Sequence, residues 1–281
     1  MAPIKLTTFF ILISINIVFS QTIELGVPYC ENITPKEIGY GGSMYSIAQD
    51  VQGTMYFGNF NGLLSYNGSN WHLMPAKGKP ILHQDKLGQV YIGGYNSLSQ
   101  IVFNQYNKPV VESLVDSTIE FGQIDKIEVF QNQVFFIANK TLYYISNKKA
   151  VKIIGDSQFI SFFVDRNRMY ISNSNGFYEF VNSKLRVNSI TLFFKGIQIL
   201  DIFRFSNELI FVTPYKFYSV SSENKIQEFK TQIDSDIISY GYSCSYKLSN
   251  NVLCVATKKN GIYFINEQGK LVNYLNTETG L

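Results

Sequence analysis

The chain contains few of the residues on which cross-linked and metal-dependent proteins rely. Its 281 residues include three cysteines and two histidines. An odd cysteine count with wide spacing does not make a disulfide framework, and Cys30 lies too far beyond the N-terminal apolar run for lipid attachment. Cys244 and Cys254 would lie on adjacent strands of one predicted hairpin in a register that sets Cys254 against Tyr246, so we interpret them as small buried hydrophobic residues. His72 and His83 have no partner at a metal-ligand spacing. The sequence therefore predicts no metal site and no cofactor.

Charged residues are also scarce. They make up 16% of the chain, and the formal net charge is +3. Lysine and arginine are scattered, with no basic cluster or stripe of the kind that binds a phosphate backbone. The composition therefore argues against nucleic-acid binding by this segment.

The apolar run at the N-terminus is too short to cross a bilayer. It extends from Leu6 to Phe19, whereas a spanning helix needs roughly 20 residues. Lys5 precedes the run, and a Val-Phe-Ser sequence ending at Ser20 suits signal peptidase. We predict that residues 1–20 are a secretory signal peptide cleaved between Ser20 and Gln21, rather than a retained membrane anchor. The mature chain would then be extracytoplasmic, in the periplasm, after export by the Sec route.

The chain does contain a short pattern that returns at a regular interval. Its clearest copy runs from Ser46 to Trp71, with turns at Gly53, Asn61-Gly62 and Asn67-Gly68. Six copies follow one another in steps of 35, 44, 35, 40 and 43 residues. Several short strands per unit at such a period are typical of a β-propeller. We therefore predict an all-β fold built from four-stranded antiparallel blades.

The turn residues explain why each unit folds into antiparallel strands. Aspartate at the start of a turn caps its own backbone, and glycine at the end accepts a positive φ. In later copies asparagine replaces glycine, because asparagine also tolerates this conformation; these residues are Asn132, Asn167, Asn207 and the pair Asn250-Asn251. The positions that we assign to the structural repeat are Asp50, Gly53, Tyr56, Gly58, Gly62, Trp71, Asp85, Gly88, Tyr91, Gly93, Gly176 and Gly261.

Six blades are visible, and no Pro-rich, Ser-rich or charged linker divides them. The predicted blades lie near residues 44–75, 80–112, 124–150, 159–190, 199–230 and 240–275, preceded by a strand or strap between residues 21 and 40. After the last hairpin, Asn276-Thr-Glu-Thr-Gly-Leu281 resembles the lead-in to a further blade. We therefore predict that residues 21–281 are one propeller domain, truncated at its C-terminus, with seven or more blades in the full protein.

Aromatic residues recur on the strands that follow the second turns. They allow two interpretations, a ligand-stacking platform or packing between blades, and we favour packing because each blade must bury both faces. For Trp71 we likewise favour a role in filling space between blades. The strand aromatics are Tyr66, Tyr143, Tyr144, Tyr178, Tyr218, Tyr263 and Phe264.

Acidic residues offer the one arrangement that could support catalysis. Paired carboxylates for glycoside chemistry could be drawn from five aspartates, but several stand at blade turns, where aspartate caps its own backbone. His83 lies near Asp85 on a predicted inner strand, either as a hydrogen-bonded structural residue, which we favour, or as a pore-lining one. We therefore predict that this segment is not an enzyme. The five aspartates are Asp50, Asp85, Asp125, Asp165 and Asp201.

The best copies of the repeat resemble a known family. Ile47-Ala-Gln-Asp50, Tyr56-Phe-Gly-Asn59, Gly62-Leu-Leu64 and Tyr66-Asn-Gly68, followed by Trp71, are similar to the opening of two-component regulator propellers. The resemblance is good over residues 28–103 and only architectural beyond them. It implies that this chain is an N-terminal fragment containing the ligand-binding sensor domain of a Bacteroidetes-type signalling protein.

The resemblance also implies an output domain that this chain does not contain. In family members the propeller is followed by a β-sandwich, a membrane helix and a cytoplasmic histidine kinase, helix-turn-helix regulator or similar output. The implied partners are an extracytoplasmic ligand, either a glycan or a small molecule, and a second copy in a homodimer. The inner membrane would be reached only through the downstream helix. The alternatives are a secreted propeller enzyme, such as a hydrolase or lyase, and a carbohydrate-binding scaffold.

Overall fold

The computed structural model describes residues 33–153, 158–173, 175–182, 184–248 and 251–278. These residues form six four-stranded antiparallel sheets, each with its strands in chain order. The first strands of successive sheets contact one another, which arranges the sheets as blades around an axis. The predicted fold class, an all-β propeller with six visible four-stranded blades, is confirmed.

The strands begin and end close to the turn signals of the sequence. Blade 1 contains β1 (Met44–Gln49), β2 (Met55–Asn59), β3 (Gly62–Tyr66) and β4 (Trp71–Met74). Blade 2 contains β5 (Ile81–Gln84), β6 (Val90–Gly94), β7 (Ser97–Phe103) and β8 (Pro109–Ser113). Blade 3 contains β9 (Ile124–Phe130), β10 (Gln133–Ala138), β11 (Thr141–Ser146) and β12 (Lys149–Lys152). Blade 4 contains β13 (Phe159–Asp165), β14 (Arg168–Asn173), β15 (Gly176–Val181) and β16 (Lys184–Arg186). Blade 5 contains β17 (Asp201–Phe205), β18 (Glu208–Val212), β19 (Phe217–Val220) and β20 (Ile226–Glu228). Blade 6 contains β21 (Tyr242–Lys247), β22 (Leu253–Thr257), β23 (Ile262–Ile265) and β24 (Leu271–Leu275).

The chain order of the strands places the loops on two opposite faces. One face, which we call the turn face, carries the turns between first and second strands and between third and fourth strands. The other, which we call the connection face, carries the turns between second and third strands and the links from blade to blade. This division follows because antiparallel neighbours reverse direction at every turn.

Three short helices lie outside the sheets. They are α1 (Pro35–Ile38) before blade 1, α2 (Ser189–Phe193) between blades 4 and 5, and α3 (Asp234–Tyr240) between blades 5 and 6. Helix α1 replaces part of the strand or strap that we predicted for residues 21–40, because Pro35 suits a first helical turn and the Glu37 carboxylate accepts the Thr34 backbone N–H at 2.6 Å. Residues 21–32 lie outside the described ranges. None of the described helices is long and apolar enough to span a membrane.

Asparagine does not always occupy the left-handed turn position that we predicted. Asn132 and Asn251 do have positive φ, at 59° and 60°. In the first turns of blades 4 and 5 the prediction is wrong, because the residue before the asparagine takes this conformation instead. These residues are Arg166, with φ of 52°, and Ser206, with φ of 44°. A left-handed backbone is uncommon for arginine, so its turn must hold Arg166 in place.

The hydrophobic core is divided among the interfaces between blades. Five clusters of buried residues each join two successive blades, from blades 1 and 2 to blades 5 and 6. In β6, Val90 and Ile92 pack toward blade 1, whereas Tyr91 packs toward blade 3. Successive side chains of a strand point to opposite faces, so each second strand can contribute to two interfaces.

Four of the strand aromatics confirm the packing interpretation, because they belong to or pack on these interface clusters. For Trp71 the packing interpretation stays a prediction, since its aromatic contacts lie within blade 1. Its ring stacks on Tyr66 with 4.6 Å between centroids and lies 5.4 Å from the ring of Phe57. The four residues at the interfaces are Tyr143, Tyr144, Tyr218 and Tyr263.

Polar contacts between first strands link the same blades near the axis. Between blades 1 and 2, the Ser46 hydroxyl donates to the Pro80 carbonyl at 2.9 Å. Between blades 5 and 6, the Asp201 carboxylate accepts hydrogen bonds from the hydroxyls of Ser245 at 2.7 Å and Tyr242 at 3.1 Å. Such contacts provide hydrogen-bond partners for polar groups that would otherwise be buried without one between the blades. They also fix how adjacent blades are aligned.

Candidate ligand-binding groove

A groove runs across the turn face over blades 2 to 5. It consists of three cavities of about 390, 240 and 610 Å³, which together we call the turn-face groove. The first reaches from blade 2 to blade 4, the second lies between blades 3 and 4, and the third lies between blades 4 and 5. Asn167, in the turn between β13 and β14, lines all three cavities. Loops held on a rigid scaffold in this way commonly carry recognition.

The residues assigned to the structural repeat occupy equivalent places in successive blades. Gly58 and Gly93 allow close approach of the next blade: a Cβ on Gly58 would lie 2.1 Å from the Pro80 carbonyl oxygen, and one on Gly93 would lie 2.6 Å from Ile124 Cγ2. Ser20 and Gln21, the predicted cleavage site, lie outside the described residues. The other places are Asp50 and Gly53 between β1 and β2, Asp85 and Gly88 between β5 and β6, Tyr56 in β2, Tyr91 in β6, Gly62 at the start of β3, Trp71 at the start of β4, Gly176 at the start of β15, and Gly261 just before β23.

The turn aspartates of blades 1 and 2 bind backbone groups. Asp50 Oδ1 accepts hydrogen bonds from the backbone N–H groups of Gln52 and Thr54 at 2.9 and 3.0 Å, and its Oδ2 accepts one from the Tyr56 hydroxyl at 2.9 Å. Asp85 likewise accepts two backbone hydrogen bonds at 2.9 Å. Both carboxylates therefore cap their own turns. This is the role that we favoured for them, from the sequence, over glycoside chemistry.

His83 and Glu128 face each other in the first cavity. His83 lies on β5 of blade 2 and Glu128 on β9 of blade 3, with Nε2 3.7 Å from Oε2. Their side chains are 19% and 21% exposed. The separation is too long for a hydrogen bond between these two groups. The imidazole contributes to the wall of the groove, so both the structural role that we favoured for His83 and the pore-lining alternative stay predictions.

Burial shifts the pKa values of this pair in opposite directions. Loss of hydration lowers the pKa of His83 to about 4, and the charge of Lys126 acts in the same direction. Loss of hydration also raises the pKa of Glu128 to about 7, against the opposing charge of Lys126. Both shifts have one physical cause, because a poorly hydrated group disfavours its charged form. A neutral imidazole beside a carboxyl group that titrates near neutrality can accept or donate protons.

In the largest cavity, ion pairs occupy two of three arginines. Arg204 of blade 5 binds Asp165 of blade 4 through two contacts, Nη2 to Oδ2 at 2.6 Å and Nε to Oδ1 at 3.0 Å. Arg168 Nε lies 3.8 Å from Glu179 Oε1, and its side chain is 60% exposed. Arg166 has no carboxylate partner among the residues that the structure describes. One positive charge is therefore left unpaired at the junction of the first and third cavities.

A buried tyrosine whose hydroxyl group lacks an acceptor lines the same cavity. Tyr170 is 1% exposed, and its Oη makes no hydrogen bond of ordinary geometry within the described chain, although the Arg168 guanidinium lies close enough to oppose the upward effect of burial on the Tyr170 pKa. Tyr170 corresponds to Tyr56 in the repeat, whose hydroxyl donates to Asp50. In blade 4 the corresponding aspartate, Asp165, is bound by Arg204 instead. Buried polar groups are nearly always paired, so the Tyr170 hydroxyl requires an explanation.

Two further predictions have structural outcomes. Tyr246 stands directly opposite Cys254 between β21 and β22, as the predicted register requires, and Cys244 and Cys254 are both free cysteines. The prediction that the cysteines are buried is wrong for Cys244, which is exposed because no residue of β21 is buried. Cys30 lies outside the described ranges. No group of three or more metal-ligating side chains occurs in the part of the chain that the structure describes.

The connection face has a cavity of its own. It measures about 580 Å³ and lies beside the turn at Gly176 and helix α2, with Leu192 and Lys195 in its wall. Leu192 is 64% exposed. This cavity contains fewer ionisable groups than the turn-face groove, which makes it a useful reference surface for binding experiments.

Comparison with known proteins identifies the fold. No family model and no curated protein matches the chain. Among solved structures, the extracellular domain of the putative hybrid two-component system BT4673 from B. thetaiotaomicron matches with a TM-score of 0.61 and 15% identity, over 84% of this chain and 33% of that chain. Virginiamycin B lyase from Staphylococcus aureus matches with a TM-score of 0.61 and 12% identity, over 83% of this chain and 84% of that one.

A third structure, BamB from Moraxella catarrhalis, matches with a TM-score of 0.52 and 10% identity, over 84% of this chain and 75% of that chain. The chain spans about a third of the length of the BT4673 structure. Sequence identities this low establish a shared fold and nothing about a shared activity. The chain is therefore similar in fold both to the extracellular domain of a two-component signalling protein and to an enzyme.

Proposed function

We propose that the chain is the extracytoplasmic input domain of a transmembrane signalling protein and that the turn-face groove binds its ligand. The observation that carries the proposal is the groove itself, which crosses four blades and contains ionisable groups at both ends. The fold similarity to the extracellular domain of BT4673 supports it. So does the resemblance of the first two repeats to two-component regulator propellers.

The mechanism of such an input domain follows from the rigidity of the fold. Blades joined by apolar clusters and first-strand polar contacts leave little room for internal rearrangement. Ligand binding would therefore act by favouring one of two arrangements of a downstream region, most simply in a homodimer. In this proposal the chain is exported by the Sec route, anchored in the inner membrane through a downstream helix, and coupled to a kinase or helix-turn-helix output.

A second candidate function is a secreted propeller enzyme. The specific observation in its favour is the pair of His83 and Glu128, whose pKa values are displaced as in an acid–base pair. The lyase among the similar structures shows that the fold also serves enzymes.

Binding and turnover can be separated with the purified protein. We expect a ligand of the groove to raise the melting temperature in a saturable way and to be recovered unchanged by mass spectrometry. We also expect His83→Gln and Glu128→Gln to leave the amount of recovered ligand the same. Consumption of the ligand, abolished by either substitution, would replace the input-domain proposal with the enzyme.

A further inference from the structure

The cavity between blades 4 and 5 differs in its chemistry from the rest of the turn-face groove. It has a volume of about 610 Å³, within the range of cavities that hold small ligands. Its polar wall combines Arg166, Arg168, Tyr170 and Asn224 with the ion pair of Asp165 and Arg204. Apart from Asp165, all of these side chains can donate hydrogen bonds, and the guanidinium groups only donate. The cavity therefore suits a ligand that accepts hydrogen bonds and carries negative charge.

The repeat explains how this donor set arises. In blade 1 the tyrosine hydroxyl and the turn aspartate satisfy each other, with Tyr56 donating to Asp50 at 2.9 Å. In blade 4 the turn aspartate is Asp165, and Arg204 of blade 5 donates two hydrogen bonds to it. Asp165 therefore does not accept a hydrogen bond from Tyr170. The Tyr170 hydroxyl thus loses the acceptor that its position in the fold normally supplies. An oxygen atom of a bound anion would restore that acceptor.

The surrounding charges point in the same direction. Asp165 is neutralised by Arg204, and the Glu179 carboxylate lies 3.8 Å from Arg168 Nε. Arg166 brings a third guanidinium group without a carboxylate of its own among the described residues. Its backbone is held in the left-handed region, with φ of 52°, where arginine is uncommon. A strained residue that carries an unpaired charge is expected where it serves a function.

We infer that this cavity is a subsite for an oxyanion, a carboxylate or sulfate group carried by the ligand of the turn-face groove. The Tyr170 hydroxyl and the Arg168 guanidinium donate to the anion, and Arg166 supplies the balancing charge. The inference rests on the proposed function, because it names the chemical class of that ligand. Charge-assisted hydrogen bonds to arginine account for the selectivity over neutral molecules of the same shape.

Matched probes test the inference by isothermal titration calorimetry of the purified protein. Sodium glucuronate is compared with glucose, which lacks the carboxylate, and sodium sulfate with sodium chloride at equal ionic strength. We expect glucuronate to bind and glucose not to bind. Sulfate that competes with glucuronate would identify a general oxyanion subsite, whereas failure to compete would assign it to carboxylates. Binding of neither anion would overturn the inference.

Three variants locate the binding. Tyr170→Phe removes only the hydroxyl and should weaken glucuronate binding about tenfold, with little loss of melting temperature because that hydroxyl has no acceptor to lose and its neighbour Arg168 is also paired with Glu179. Arg166→Asn keeps a residue that tolerates the left-handed turn, and should weaken binding and reduce its dependence on salt. Arg186→Asn, at an exposed arginine of β16 in the same blade, is the matched control and should bind as the unmodified protein does.

The outcomes keep this inference separate from the proposed function. If Tyr170→Phe and Arg166→Asn bind glucuronate as tightly as Arg186→Asn does, the anion lies elsewhere and the subsite is refuted, while a ligand-binding input domain stands. If glucuronate binds at the subsite but is chemically altered, the subsite is supported and the input-domain proposal fails.

Discussion

At the scale of single residues, the pair of His83 and Glu128 makes stability depend on pH in two opposing ways. The raised pKa of Glu128 means that the folded state retains a proton that the unfolded state releases. Stability should therefore fall as pH rises from the ordinary carboxyl value of 4.5 to about 7. The lowered pKa of His83 means that the unfolded state binds the extra proton, so stability should rise between about pH 4 and 6.5.

Single substitutions should separate the two contributions to the pH dependence of stability. In the unmodified protein these contributions have opposite signs between pH 4.5 and 6.5. Glu128→Gln should leave the rise contributed by His83, and His83→Gln should leave the fall contributed by Glu128. Urea unfolding at a series of pH values measures both slopes. The account is wrong if the two variants show the same pH dependence as each other, because the groups would then not be displaced in opposite directions.

At the scale of secondary-structure elements, glycines in the second strands let neighbouring blades approach. A Cβ on Gly58 would lie 2.1 Å from the Pro80 carbonyl oxygen and 2.5 Å from Ser46 Oγ. Gly58→Ala should therefore force β2 away from blade 2 and lower the free energy of unfolding by about 1–3 kcal/mol. Gly41→Ala is the matched control, since nothing lies within 4 Å of its Cβ position. Equal urea midpoints for both variants would contradict close packing at this position.

Much of the element structure could be predicted from the sequence because its signals are local. Alternating side chains define the strands of blades 1 and 2, and turns that begin with aspartate and end with glycine define their hairpins. Aromatic residues on the strands indicate packing between blades. There are two exceptions. Arg166 takes the left-handed conformation that the sequence assigned to its asparagine neighbour, and Pro35 begins a short helix, capped locally by Thr34 and Glu37, where a strand or strap was expected.

The groove could be predicted only in part. His83, which lies in the first cavity, was singled out because histidine is rare in the chain, and its two proposed roles were structural or pore-lining. The arginines, Glu128 and the free Tyr170 hydroxyl were not singled out as functional residues. Their significance depends on contacts between blades, such as Arg204 with Asp165, residues that are 39 positions apart in sequence. The one available signal was the tyrosine's equivalence to Tyr56 in the repeat.

At the scale of the whole molecule, the ring of interface clusters runs from blade 1 to blade 6. Among the described residues no cluster joins blade 6 back to blade 1. Ile47 on the first strand of blade 1 is 59% exposed, and Tyr246 on the first strand of blade 6 is 72% exposed. Blade faces are normally buried against a neighbour, so we propose, in line with the sequence-based prediction of seven or more blades, that a further blade covers both.

The fluorescence of Trp71 can test for a further blade, because Trp71 is the one tryptophan of the chain and belongs to blade 1. A longer native sequence that includes the further blade should shift the Trp71 fluorescence maximum to shorter wavelength and raise the melting temperature relative to the 281-residue chain. As a control, Ile47→Ser should cost more stability in the longer protein than in the shorter one. An unchanged emission spectrum and melting temperature would contradict the proposal.

The central claim is that the turn face binds a ligand without altering it. Hydrogen–deuterium exchange of the purified protein, with and without saturating sodium glucuronate, tests this most directly when the glucuronate is afterwards analysed by mass spectrometry. The account predicts slower exchange in the turns at residues 165–168 and 220–225, unchanged exchange around helix α2 on the connection face, and intact glucuronate. Slower exchange confined to the connection face, or conversion of the glucuronate to a product, would contradict it.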